Sequence, residues 1–131
     1  MKLDLSPLEK ALISLEEVLK LPVDPVVRDS TIQRFEYTYE LSCKMLKRYL
    51  EMSASVPAEI DTKSFKELIR LGAEQGLIEK PEDWFLYRQA RNETSHAYDE
   101  NKAVLVYSKI GGFAQSARKL FEKLKSNIPN L

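Results

Sequence analysis

Apolar residues recur at intervals of three and four along most of this chain, and no other feature constrains its fold more. Leu8, Leu12, Leu15 and Leu19 fall on one side of a helix with 3.6 residues per turn. A longer stripe of apolar and aromatic side chains follows between residues 25 and 52. Both patterns predict amphipathic helices that bury one face.

Capping residues, prolines and a glycine divide the chain into five predicted helices. Two capping boxes are present, at Ser6 to Glu9 and at Ser64 to Glu67, and Gly76 is a typical glycine C-cap. The five helices are predicted from Ser6 to just before Pro22, from Pro25 to about Met52, from Ser64 to Gly76, from about Pro81 through Arg91, and from Asp99 onward.

One segment fits a strand as well as a helix. Val104 to Tyr107 is rich in strand-forming residues, and Gly111 and Gly112 would each cost about 1 kcal/mol inside a helix. No second strand is visible to pair with it, so we predict a helix here too. The 131 residues then form a single all-α domain, residues 1–131. Its predicted architecture is an up-and-down antiparallel helical bundle of four main helices plus a shorter one.

Charge and cysteine content narrow the class of protein. Twenty basic and twenty acidic residues cancel, so any contact with RNA or a nucleotide must be local. The longest unbroken apolar run, Ala103 to Tyr107, is five residues and cannot cross a membrane, and no signal peptide is apparent. Cys43 has no second cysteine to pair with, which favours a structural thiol in the cytoplasm, and we expect neither a metal nor a cofactor.

The second helix carries the first candidate binding residues. Arg28 falls on the apolar face, where a charge must be paired or line a cleft, unless it reaches past the helix start into water. The opposite side presents Gln33, Glu36 and Glu40, which fit a solvated face because Glu40 and Lys44 form a favourable pair. Glu36 lies one turn from Glu40, and these like charges mildly favour an external cation or an arginine partner.

The fourth helix carries the second group. Arg88 and Arg91 share a face with the aromatic residues Trp84, Tyr87 and Tyr98. Such a polar-aromatic face favours an interface or a nucleotide-sized cleft. Asn92 and His96 share another face, about 140° away on a straight helix. Arg91 and His96 therefore converge only if the helix ends near Ser95 or if two subunits meet. Each residue also has a purely structural interpretation. His96 would make its hydrogen bonds at a helix end, and the ring of Tyr98 would pack beside the other aromatic residues.

Two segments together resemble the nucleotidyltransferase substrate-binding protein family, a branch of the HEPN-like helical bundles. They are Arg28 to Leu41, at the start of the long helix, and Arg91 to Glu100; Gly76 to Ile78 and Trp84 add to the likeness. The resemblance covers about residues 5 to 125. It implies a homodimer that binds a minimal nucleotidyltransferase encoded nearby, with a nucleotide or RNA as a further ligand.

The resemblance also implies two different activities. Relatives in HEPN–MNT toxin–antitoxin pairs are metal-independent ribonucleases with an Arg, four residues, His, one residue, Tyr pattern, which Arg91, His96 and Tyr98 match. There the nucleotidyltransferase silences the toxin by transferring AMP to the tyrosine. We take the non-catalytic substrate-binding subunit as the main prediction, with Arg28, Gln33, Glu36, Arg88, Arg91, Asn92 and His96 as binding residues. The alternative is the ribonuclease, with Arg91 and His96 as catalytic residues and Tyr98 as the modified one.

Overall fold

The computed structural model describes residues 3–130, and within that range every regular element is helical. The prediction of an all-α bundle is therefore confirmed. The helices are α1 (Ser6–Leu19), α2 (Pro25–Ser53), α3 (Ala58–Asp61), α4 (Phe65–Glu74), α5 (Pro81–Glu93) and α6 (Glu100–Asn127). Short 3₁₀ turns follow α5 at Thr94–His96 and α6 at Ile128–Asn130.

The observed helix ends show which of the predicted capping residues are correct. Ser64 and Glu67 form the predicted capping box: Ser64 Oγ accepts from the Glu67 N–H at 3.2 Å, and Glu67 Oε1 accepts from the Ser64 N–H at 2.9 Å. Gly76 closes the following turn with φ 77°, a conformation that favours glycine. Val104 to Tyr107 lies inside α6, as predicted. The four-residue α3 was not predicted.

The predicted capping box at Ser6 is wrong. Leu5, not Ser6, flanks the helix, and the Ser6 N–H instead donates to Asp4 Oδ1 at 3.0 Å. The cause is the burial of Leu3 and Leu5 against the core, which fixes the path of the chain into α1 and places Ser6 inside the helix.

Helices α2 and α6, of 29 and 28 residues, are the two longest and form the spine of the bundle. Helix α1 packs against both, α5 packs against α6 and α2, and α4 packs against α5 and α2. Phe113 of α6 is fully buried at the centre of an aromatic cluster. Its ring centroid lies 5.0 Å from that of Phe35, 5.3 Å from that of Tyr87 and 5.8 Å from that of Trp84.

This cluster corrects the predicted polar-aromatic face of α5. Trp84 and Tyr87 are buried in the core, because α5 turns them towards α6, and they do not line an open cleft with the arginines. Arg88 remains at the surface, where its guanidinium lies 4.7 Å from the ring centroid of Phe65. Within residues 3–130, no helix is both long enough and apolar enough to cross a membrane.

The thiol of Cys43 is partly buried against the core, which disfavours its charged form. Desolvation raises the pKa of Cys43 to about 12. A hydrogen bond with Tyr39 and the nearby charge of Arg88 lower this pKa, but by less than desolvation raises it. At pH 8 the native thiolate is therefore about 10³-fold less abundant than in an unfolded chain with a pKa near 8.5.

We expect iodoacetamide to alkylate the native protein at pH 8 about 10³-fold more slowly than the urea-unfolded protein, because only the thiolate reacts. Intact-mass spectrometry against time measures both rates. Equal rates in the two states would contradict the burial of this thiol.

Candidate functional site

The helix that carries Arg91 ends before Ser95, which was one of the two conditions given for Arg91 and His96 to converge. Helix α5 stops at Glu93, and a single 3₁₀ turn, Thr94–His96, follows. Thr94 Oγ1 donates to the Arg91 carbonyl at 2.6 Å, so that this side chain caps the end of the helix. Asp99 then starts α6, its Oδ1 accepting from the Asn101 N–H at 2.9 Å. We call residues 94–99 the connection.

The connection places His96 and Tyr98 side by side at the surface. Their ring centroids are 6.2 Å apart with an interplanar angle of 69°. His96 is exposed, and the Tyr98 side chain is 87% exposed. Packing of Tyr98 beside the other aromatics of α5 is thus wrong, because the helix has ended five residues before it. Both groups are open to a ligand or a partner.

Arg91 is held against α2 by two carboxylates. Its Nη2 donates to Glu40 Oε1 at 2.6 Å, and its Nη1 lies 3.7 Å from Glu36 Oε2. Nη1 also donates to Thr94 Oγ1 at 3.0 Å, while Nε is buried without a hydrogen-bond partner. The arginine partner suggested by the like charges of Glu36 and Glu40 is therefore Arg91. This guanidinium anchors the start of the connection to α2.

Arg28 is also largely buried, with its side chain only 15% exposed. Its Nη2 lies 3.9 Å from Glu100 Oε1, across the bundle end from the first turn of α6. Its Nε has no hydrogen-bond partner. The charge on the apolar face of α2 is thus paired, weakly, with the helix that follows the connection.

A shallow, open depression of ≈ 280 Å³ lies between α2 and the connection. Three α2 residues on adjacent turns, Asp29, Gln33 and Glu36, line one side of it, and Tyr98 lines the other. Arg91 contacts Glu36, one of the residues that line the depression. The depression therefore places Gln33 and Glu36 of the first predicted group beside Tyr98 of the second, whereas Arg28, Arg91 and His96 do not line it.

Two predicted binding residues lie elsewhere. Arg88 contacts the ring of Phe65 on the side that faces α4. Asn92 is exposed, and its carbonyl accepts from Ser95 Oγ at 3.1 Å. Asp29 was missed as a lining residue, although its place four residues before Gln33 puts the two on one helix face.

Carboxylates outnumber guanidinium groups around the depression. Asp29 and Glu36 line the depression, and none of its lining residues is basic. The nearby Arg28 and Arg91 are paired, whereas Asp29 is exposed and takes part in no salt bridge among the described residues. Glu100 is 79% exposed despite its contact with Arg28. The surface near Tyr98 is therefore locally acidic, although the whole chain is neutral.

Comparisons with known proteins agree with this fold. A family model described as nucleotidyltransferase substrate binding protein like matches residues 3–126. A protein of Haemophilus influenzae named probable ribonuclease HepT is 38% identical over 136 residues, a match that covers 95% of this chain and 93% of that protein.

Two solved structures are also similar. One, from Haemophilus influenzae, is described as revealing the fold of a substrate binding domain of a nucleotidyltransferase. It has a TM-score of 0.87 and 36% identity, and the match covers 93% of this chain and 99% of that one. The other, from Thermus thermophilus, has a TM-score of 0.77 and 32% identity, over 89% of this chain and 98% of that one. Sequence and structure together establish that the chain belongs to the nucleotidyltransferase substrate-binding protein family.

Proposed function

We propose that this chain is a metal-independent ribonuclease whose active site is completed by a second copy and whose activity is controlled by a nucleotidyltransferase partner. The observation that carries the proposal is the exposed imidazole of His96 beside the exposed phenol of Tyr98, on a connection anchored by Arg91. The 38% identity to a protein named probable ribonuclease HepT supports it. The cytoplasm is the compartment we propose for it.

In the proposed ribonuclease, His96 transfers protons as a general acid or base. The ribose 2′-oxygen attacks the adjacent phosphorus as its proton passes to a base, and the bond from phosphorus to the 5′-oxygen breaks as an acid protonates that oxygen. The products are a 2′,3′-cyclic phosphate and a free 5′-hydroxyl. An imidazole suits both tasks, since its unperturbed pKa is close to neutral.

Two imidazoles serve better than one, because acid and base act in the same step. Each chain has a single histidine, so a two-fold pair of copies would supply both groups. Arg91 is then a positioning residue: Glu36 and Glu40 occupy its terminal nitrogens, and it fixes the connection rather than reaching out to a phosphate.

Tyr98 is the proposed control point. In an adenylyl transfer its hydroxyl oxygen attacks the α-phosphorus of ATP, pyrophosphate leaves, and the phenolic proton passes to a base of the nucleotidyltransferase. The 87% exposure of Tyr98 supports this role, since a partner enzyme can reach the oxygen without unfolding the bundle. The adduct would place a phosphate and an adenosine beside His96 and obstruct RNA.

The non-catalytic substrate-binding subunit, which was the main prediction from the sequence, becomes the second candidate, and the local charge favours it. RNA binding depends on neutralising phosphates with basic side chains, whereas the surface around Tyr98 is acidic and both nearby arginines are paired. In that function the depression beside Tyr98 meets the partner enzyme, and His96 transfers no proton.

Induced expression in the absence of the nucleotidyltransferase separates the two functions. We expect growth arrest with the wild-type chain, normal growth with His96→Ala at equal protein level, and normal growth when the nucleotidyltransferase is co-expressed. Normal growth with the wild-type chain, together with its co-purification with the nucleotidyltransferase, would favour the binding subunit instead.

A further inference from the structure

Three basic side chains on α4 and α5 are held over a pair of half-buried phenylalanine rings. The ring centroids of Phe65 and Phe85 lie 6.4 Å apart, at an interplanar angle of 63°. Lys66 Nζ lies 5.3 Å from the ring centroid of Phe85, and Arg70 Cζ lies 5.5 Å from it. Arg88 Cζ lies 4.7 Å from the ring centroid of Phe65. We call Lys66, Arg70 and Arg88 the basic patch.

The charges of the basic patch are exposed and unpaired. All three residues are exposed, and none of them takes part in a salt bridge within residues 3–130. Glu67 lies near Arg70, but its carboxylate accepts from the Ser64 N–H as part of the helix cap. Contact with a ring holds each cation in place without removing its charge. Three like charges fixed near one another favour an anionic ligand.

The basic patch lies next to the connection that carries His96. Arg88 precedes Arg91 by three residues, so the two are neighbours on one face of α5. Both act on one group of α2: desolvation raises the pKa of Tyr39, and the charges of Arg88 and Arg91 oppose that rise. Arg88 lies eight residues before His96, on the order of 12 Å at the rise of a helix. The patch therefore extends from the neighbourhood of the proposed active site to α4.

The proposed substrate indicates which anion fits the basic patch. The depression beside Tyr98 has two carboxylates and no basic residue in its lining, so it repels RNA phosphates. An RNA strand that reaches His96 therefore needs basic contacts outside the depression, and the patch offers three of them. Basic side chains set among aromatic rings are typical of surfaces that bind a single strand of nucleic acid.

We propose that the basic patch binds the phosphates of single-stranded RNA and leads the strand to His96. Each cation meets a phosphate, and the two phenylalanine rings fix the spacing of the cations. Because contacts to the backbone carry no sequence information, the patch does not select a base. The proposal rests on the proposed function only for where the strand leads; binding of RNA to the patch does not require cleavage.

The affinity of the His96→Ala variant for a fluorescently labelled oligouridine tests the proposal, since this variant is expected to bind RNA without cleaving it. The probe has about 12 nucleotides, within the usual length of a single-strand site. Fluorescence anisotropy gives the Kd at several salt concentrations. Each phosphate contact to a single strand contributes about −0.7 to the slope of log affinity against log salt. In this background, Arg70→Gln should make the slope shallower by about 0.7 and weaken binding about eightfold at ~50 mM salt.

Lys125→Gln is the matched control, made in the same background. Lys125 is exposed, and its Nζ lies 6.0 Å from the ring centroid of Phe121, so it is also a cation over a ring. It lies in the last turn of α6, at the end of that helix away from the connection. We expect Lys125→Gln to leave both the Kd and the slope unchanged.

Phe85→Leu separates the ring from the charges. It keeps all three cations of the patch but removes the ring that holds Lys66 and Arg70. We expect binding about two- to fivefold weaker, the strength of one exposed cation–π contact, with an unchanged slope because the number of phosphate contacts is the same. Circular dichroism checks that the helices are retained.

An unchanged slope in Arg70→Gln, or an equal loss of affinity in Arg70→Gln and Lys125→Gln, would overturn the proposal whether or not the protein cleaves RNA. RNA binding through the patch by a wild-type chain that does not cleave RNA would support the proposal and remove the ribonuclease. Polyglutamate, or vesicles of phosphatidylglycerol, bound as tightly as the oligouridine would overturn RNA as the ligand.

Discussion

Replacing His96 with alanine is expected to reduce RNA cleavage by about 10²–10⁴-fold, the usual contribution of a positioned acid or base. The change removes the only imidazole of the chain and, in a dimer, both imidazoles of the cleft. Because His96 is exposed, we expect the free energy of unfolding to stay within about 0.5 kcal/mol of the wild-type value. Gel analysis of an end-labelled RNA, together with urea unfolding, measures both quantities.

Ser95→Ala is the matched control for this change. Ser95 lies next to His96 on the same exposed turn, and its hydroxyl donates only to the carbonyl of Asn92. We expect it to cleave RNA at close to the wild-type rate. If Ser95→Ala and His96→Ala lose the same fraction of activity, the geometry of the turn matters and the imidazole has no chemical role.

The second large effect is expected in the core. Phe113→Ala should lower the free energy of unfolding by about 3–5 kcal/mol, because it removes a fully buried ring from contact with four aromatic neighbours. That is a large part of the total stability of a domain of this size. Denaturant unfolding followed by circular dichroism gives the value.

Ile13→Ala serves as the comparison, since Ile13 is an apolar residue of α1 with 46% of its side chain exposed. Its cost should stay below about 1 kcal/mol. The cluster around Phe113 also fixes α5 on α6, and hence the connection that follows α5. A Phe113→Ala loss no larger than that of Ile13→Ala would mean that α5 does not pack on α6 as described.

The sequence predicts the helices well because their signals are local. The capping box at Ser64, the glycine at position 76 and the cap at Asp99 each act within a few residues of where they stand, and all three are confirmed. The box at Ser6 is wrong because a distant contact, the burial of Leu3 and Leu5, competes with it. Helix α3, with four residues, is too short to show a period.

The site could be predicted only in part, since it depends on contacts across the bundle. The pattern of Arg91, His96 and Tyr98 is visible in the sequence, but the arginine pairs with a carboxylate 51 residues away. Which face of α5 meets α6 is equally a tertiary property, and so Trp84 and Tyr87 were assigned to the wrong environment. A helical period indicates that a face is buried, without indicating the element that buries it.

The proposed metal-independent ribonuclease activity can be measured by incubating a defined RNA with the purified wild-type chain in excess EDTA. We expect cleavage at an undiminished rate, with products that end in a 2′,3′-cyclic phosphate and begin with a 5′-hydroxyl, both absent with His96→Ala. An RNA that stays intact, or products of the same kind formed equally by His96→Ala, would contradict it.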